Sequence, residues 1–130
     1  MLSNNLFLTF GAYIADWSVT HVKNPRWPPH AKFHNGQTMT SSLLYSLAAI
    51  YFLFRRNPTK TAELDSMFTA AVIGSFYTIS GLSAILYPGA LGTDPEFGEG
   101  FPQKWIFGAP LVWNWVGYWL ESRKLNLKST

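Results

Sequence analysis

Charge disappears from this chain over long runs. No Asp, Glu, Lys or Arg occurs from Met1 to Ala15, from Phe33 to Phe54, from Ser66 to Thr93 or from Trp105 to Leu120. A helix that crosses a bilayer core of about 30 Å needs roughly 20 mainly apolar residues. The last three runs approach or exceed that length, and the first reaches it only if Asp16 lies inside the segment. The charged fraction of the whole chain, 13%, is about half the quarter usual in globular domains. The expected architecture is all-α: a polytopic membrane protein whose single domain, residues 1–130, is an antiparallel bundle of four transmembrane helices.

The helices are expected over about 4–22, 28–56, 64–87 and 103–123. Pro28 or Pro29 suits the first turn of the second, where a missing N–H costs nothing. Pro88-Gly89 stops the third, and Pro110 is an expected kink in the fourth. The competing architecture is a soluble helical bundle, which the near-zero mean hydropathy keeps open. Against it, "TAAVIGSFYTISGLSAILYPG" has no polar face wide enough for water, and Ala70, Gly74 and Gly81 suit close helix packing in lipid.

Positive charge sets the expected orientation. Arg55, Arg56 and Lys60 follow the second helix, and Arg123, Lys124 and Lys128 follow the fourth. Both places lie on one side of a four-helix hairpin, which the positive-inside rule makes cytosolic, with both termini. The opposite loops set Lys23, Arg26, Lys32 and Lys104 against Asp94, Glu96 and Glu99. Trp17, Trp27 and Trp105 then fall at the outer interface and Trp119 at the inner one. "MLSNNLFLTF" lacks the features of a cleaved signal peptide, so the endoplasmic reticulum is the expected location. The chain has no cysteine, which removes disulfides, thiol nucleophiles and thiolate metal sites. The scattered basic residues form no nucleic-acid-binding run.

"NPRWPPHAKFHNGQ", residues 24–37, holds two of the three histidines in one short connection. The first helix carries Thr9, Tyr13, Asp16 and Thr20; the second carries His30, His34, Gln37 and Ser41. Both sets have spacing 4, 3, 4 and so share one helix face. Intramembrane polar stripes should face the bundle interior. Asp16 and His34 fall at matching depths on antiparallel neighbours, so they are expected within reach of one another. Tyr77, Ser80 and Asn114 add polar groups from the third and fourth helices. The expected catalytic residues are therefore Asp16 and His34. The expected substrate-binding residues are Tyr13, Thr20, His30, Gln37, Tyr77, Ser80 and Asn114. Each has a plainer role open to it: Asp16 and His34 can simply pair, and His30 can touch headgroups. His21 reads as loop structure.

Histidines four apart on a helix can bind metal, but no HExxH pattern accompanies them, and neither metal nor other cofactor is expected. "GTDPEFGEGFP" joins the third and fourth helices on the histidine side. It reads either as a lid pairing with Lys23, Arg26 or Lys32, or as a solvated connector. Trp113 and Trp115 flank Asn114 as packing or pocket-lining residues.

"ADWSVTHVKNPRWPPHAKFHNGQTM", Ala15 to Met39, resembles the signature "aDW…TH…NPrWPPHAkFHngQtm" of a family of small four-helix membrane proteins of fungi and some bacteria. The match covers Asp16, Trp17, Thr20, His21, Asn24, Pro25, Trp27, Pro28, Pro29, His30, Phe33, His34 and Gln37. In size and layout the chain is also similar to two other groups. One is the small membrane epoxide hydrolases of aurovertin-type polyene pyrone biosynthesis. The other is the emopamil-binding and sigma-2 receptor group. Those resemblances imply an enzyme acting on a lipophilic metabolite without a cofactor, by epoxide opening, cyclisation or double-bond isomerisation. They imply equally a non-catalytic binder of a sterol-like ligand. An accessory subunit of a membrane complex is the third reading. Lipids and a lipophilic small molecule are the expected partners, and a homodimer is open to it.

Overall fold

Four helices carry the chain. In the computed structural model, which describes residues 1–127, they are α1 (Leu2–Asp16), α2 (Pro29–Phe54), α3 (Lys60–Ser83) and α4 (Gln103–Leu127). Short 3-10 turns occupy Ala84–Leu86 and Pro95–Phe97, and no strand occurs among the described residues. Lys128 lies outside them.

Local chemistry explains the boundaries. Pro28 is extended, and Pro29 occupies the first turn of α2, where proline costs no hydrogen bond. α3 starts four residues earlier than the charge gaps suggest. Thr59 caps it by accepting from the Ala62 N–H at 3.2 Å, and Glu63 sits in the first turn, where a negative charge is favoured. α4 runs unbroken through Pro110 and on past Arg123.

The main departure is α1, which ends at Asp16 and not near Val22. Beyond it the chain turns on itself: Val22 N–H bonds the Asp16 carbonyl at 3.2 Å and Lys23 N–H bonds that of Ser18 at 2.9 Å. Ser18, Val19, Thr20 and Val22 all weaken a helix here. Serine and threonine hydroxyls offer local alternatives to helical bonds, and β-branched side chains lose rotamer freedom in a helix.

Polarity is distributed inside out. The largest fully buried side chains include Asn5, Asn114, Thr78, Ser42, Ser46 and Ser75, whereas Phe10, Ile14, Leu44, Phe54, Trp113 and Trp119 are exposed. Helices pack closely over small residues. A Cβ added at Gly81 would come within 2.4 Å of the Phe107 ring, and one at Gly74 within 3.0 Å of Asn5 Oδ1. Asn114 ties α4 to α3, donating from Nδ2 to the Ala71 carbonyl at 2.8 Å and to Ser75 Oγ at 3.3 Å.

Among the described residues, only the helical stretch Lys60–Leu86 is by itself long and apolar enough to cross a membrane. α1 has 15 residues, about 22 Å at 1.5 Å per residue. The first turns of α2 carry His30, Lys32, His34 and Asn35. α4 is rich in tryptophan, and Gly108, Pro110, Asn114 and Gly117 dilute its apolar character.

The helix ends sort into two groups. Met1, Arg55, Arg56, Glu121 and Lys124 surround one shared hollow, so the start of α1, the α2–α3 turn and the end of α4 lie together. The α1–α2 connection and residues 84–102 meet at the opposite end, where Trp27 Nε1 donates to Asp94 at 2.8 Å.

Candidate functional site

A cavity of about 850 Å³ opens at that second end, between α1 and the start of α4. Its walls are mostly apolar: Phe7, Phe10 and Ile14 from α1, Ile85 from the connection, Ile106 and Phe107 from α4. Six polar side chains break the apolar wall: Asp16, His21, Asn35, Thr38, Tyr77 and Gln103.

Asp16 is the only carboxylate among the lining residues. As the last residue of α1 it sits where that helix hands over to the turn, and its side chain is 14% exposed. Asn35 Nδ2 donates to one carboxylate oxygen at 2.8 Å. His21 Nε2 stands 3.6 Å from the other, beyond hydrogen-bond length but within ion-pair reach. His21 Nδ1 lies 2.8 Å from Thr20 Oγ1, and that hydroxyl lies 2.8 Å from Ser18 Oγ. A carboxylate facing Nε2 favours a proton there, so Thr20 donates to Nδ1 and accepts from Ser18. The chain of polar groups then runs Ser18, Thr20, His21, Asp16. Trp27 holds the imidazole edge-on, with ring centroids 5.2 Å apart.

The expected partner of Asp16 is not the one found. His34 is exposed on the outside of α2, where it bonds His30 and Gln37. The inward stripe of α2 is Asn35, Met39, Ser42, Ser46 and Ala49. It has the same helical spacing as the expected one but is displaced by five residues, about 140° around the axis. His30, His34 and Gln37 are therefore absent from the cavity lining. Small side chains occupy the interior face because they let helices approach closely.

Of the other expected residues, Tyr77 lines the cavity and is buried. Thr20 acts through His21. Tyr13 packs against the buried cluster of Leu8, Ala12, Met39 and Tyr77. Ser80 bonds the Tyr77 carbonyl within its own helix at 2.9 Å. Asn114 is engaged between α3 and α4, and Trp113 Nε1 donates to Ser3 Oγ at 3.1 Å. None of these last four residues is part of the lining.

Four polar lining residues escaped the sequence reading: His21, Asn35, Thr38 and Gln103. His21 required knowing that α1 stops at Asp16. Asn35 had a usable signal, since it starts a run of small polar residues at helical spacing. Two acceptors in this group have no hydrogen-bond partner within the chain although they are buried, Asn35 Oδ1 and Gln103 Oε1. Buried acceptors of this kind favour a ligand or solvent donor.

The acidic connection between α3 and α4 closes over this end. Glu96 forms an ion pair with Arg26 and accepts from Asn24 Nδ2 at 3.1 Å. Gly92 makes its fold possible, because a Cβ there would meet the Gly100 carbonyl oxygen at 2.3 Å. Gln103 Nε2 donates to the Gly92 carbonyl, fixing the loop to the first turn of α4.

A family model described as "Family of unknown function (DUF6640)" matches residues 2–130, and the chain belongs to that family. No curated protein and no solved structure matches it.

Proposed function

We propose that this member of the family is an integral membrane enzyme that converts a lipophilic metabolite by cofactor-free acid/base chemistry at Asp16. The observation that carries the reading is a mostly buried carboxylate, held by Asn35 and faced by His21, in the wall of a large apolar cavity. An ionisable group set in apolar surroundings among membrane helices is a functional feature by default.

The inside-out polarity supports four membrane-spanning helices. Rings and aliphatic chains face outward while asparagine, serine and threonine lie between helices, the pattern expected where lipid is the solvent. Arg55, Arg56 and Lys124 share one end, which the positive-inside rule assigns to the cytosol. The endoplasmic reticulum is the proposed membrane.

The proposed substrate class is an apolar epoxide or alkene, in keeping with the likeness in size and layout to small membrane epoxide hydrolases. For epoxide opening, Asp16 takes a proton from water as the water oxygen attacks a ring carbon. The carbon–oxygen bond breaks, and the departing oxygen takes the Nε2 proton of a doubly protonated His21, whose Nδ1–H is then accepted by Thr20, leaving a neutral imidazole. Transfer of the proton from Asp16 to His21 restores both groups. The Tyr77 hydroxyl orients the ring oxygen, and Asn35 Oδ1 accepts from the attacking water. Isomerisation would use the same pair to remove and return a carbon-bound proton.

The test is turnover by purified wild type and Asp16→Asn against a panel of lipophilic epoxides and alkenes. The asparagine keeps the bond to Asn35, so the variant should melt within a few degrees of wild type. Its rate should fall by about 10²–10⁴-fold, the usual contribution of a positioned acid or base. Equal rates would remove the assignment. If wild type turns over nothing but sterol-like ligands raise its melting temperature, the cavity is a binding site only.

A further inference from the structure

His30 and His34 lie outside the cavity and serve no part of the chemistry assigned to Asp16. Their geometry is nevertheless specific. They stand one helical turn apart on α2, with Nε2 facing Nε2 at 3.0 Å. Their rings are edge-on, with centroids 4.4 Å apart. His34 is oriented through its other nitrogen, since Nδ1 lies 3.1 Å from Gln37 Oε1. The amide oxygen can only accept, so the His34 proton sits on Nδ1 and its Nε2 presents a lone pair. Phe33 supports both rings, stacked on His30 and edge-on to His34.

Two imidazole nitrogens bound to one ion at about 2.0–2.1 Å stand about 2.9 Å apart at right angles and about 3.3 Å apart in a tetrahedron. The observed separation of 3.0 Å falls inside that interval without any movement of the backbone. A hydrogen-bonded second nitrogen is also the usual way a metal-binding histidine is fixed in tautomer and direction. His30 and His34 stand in the first two turns of α2, so water at that end of the helix can fill the remaining coordination positions.

We propose that His30 and His34 form a two-imidazole site for a late first-row divalent cation, oriented by Gln37 and separate from the Asp16 cavity. By ligand type and the usual affinity order, Cu²⁺ binds tightest, with Ni²⁺ and Zn²⁺ weaker. Binding moves the His30 proton to Nδ1, so that both Nε2 atoms donate lone pairs to the ion.

The test is a Cu²⁺ titration of the tag-free full chain in detergent at neutral pH, read by electron paramagnetic resonance and by equilibrium dialysis. One Cu²⁺ per chain is expected, with hyperfine structure from two imidazole nitrogens. His30→Gln and His34→Gln should each weaken binding by at least about tenfold, and Gln37→Leu by about tenfold, the scale of second-shell losses. His21→Ala should bind as wild type. Helix content should be unchanged in all four variants, which circular dichroism checks. Absence of stoichiometric binding, or affinity unchanged in both His30→Gln and His34→Gln, would overturn the proposal. So would loss of the ion in His21→Ala, which would move it to the Asp16 cavity.

Discussion

Asn35 Nδ2 donates to Asp16 Oδ2 at 2.8 Å, joining the last residue of α1 to the second turn of α2. The bond does two things. It fixes the carboxylate at the cavity wall, and it locks the rotation of α2 so that His34 faces away. A carboxylate with an amide donor on one oxygen and an imidazole facing the other keeps one set of lone pairs for chemistry.

Asn35→Leu removes the donor and leaves the mostly buried Asp16 with His21 alone. Loss of a partner from a desolvated charged group costs about 1–3 kcal/mol. We expect a lower melting temperature in detergent and a lower rate. Asn35→Asp should be worse, because it sets two carboxylates at hydrogen-bond distance. A variant as stable as wild type in both cases would mean that the contact carries no energy.

His21→Ala and His34→Ala should separate cleanly. The first removes the imidazole facing Asp16 and should cost about 10²–10⁴-fold in rate. The second removes an exposed ring and should leave the rate within a few-fold of wild type. Steady-state turnover on one substrate checks both, and the reverse order would return His34 to the catalytic pair.

Gly81→Ala places a methyl where the Phe107 ring now lies, at 2.4 Å. Overpacking of this kind costs about 1–3 kcal/mol. Because Gly81 and Phe107 both line the cavity, the displaced ring should also weaken ligand affinity. Thermal unfolding reads the first effect and ligand titration the second. Gly36→Ala is the control, since nothing lies within 4 Å of a Cβ there.

Glu96→Gln should loosen the α3–α4 connection, not unfold the protein. The Arg26–Glu96 pair is solvent-facing on the arginine side, 68% exposed, and such pairs contribute at most about 1 kcal/mol. Hydrogen exchange should quicken over residues 93–101 and stay unchanged in α3. A melting temperature unaltered together with unaltered exchange would show that Trp27 and Asn24 hold the connection without the charge pair.

Four helices were legible in the sequence because charge gaps and proline positions report length and ends directly. The polar end of the molecule was legible too, since Asp16 and the histidines cluster there. The identity of the partner was not. α2 carries two polar stripes at one spacing, His30–His34–Gln37 and Asn35–Ser42–Ser46, and periodicity alone cannot say which faces inward. Side-chain size decides it, because the neighbouring helices come too close for imidazoles. Nor could periodicity show that α1 ends at Asp16. That follows from Ser18 and Thr20 bonding among themselves and with His21.

In the proposed membrane setting, the early end of α1 would also affect the bilayer beside it. At about 22 Å against a hydrocarbon core of about 30 Å, this corner of the molecule is too short for the bilayer proposed to surround it. Lipid beside a short helix thins, so in that setting the headgroups would dip toward Asp16. Water would then reach the carboxylate through a dimple in the membrane surface, while an apolar substrate slides in from the side between α1 and α4. The two reactants would approach from different solvents and meet only at Asp16.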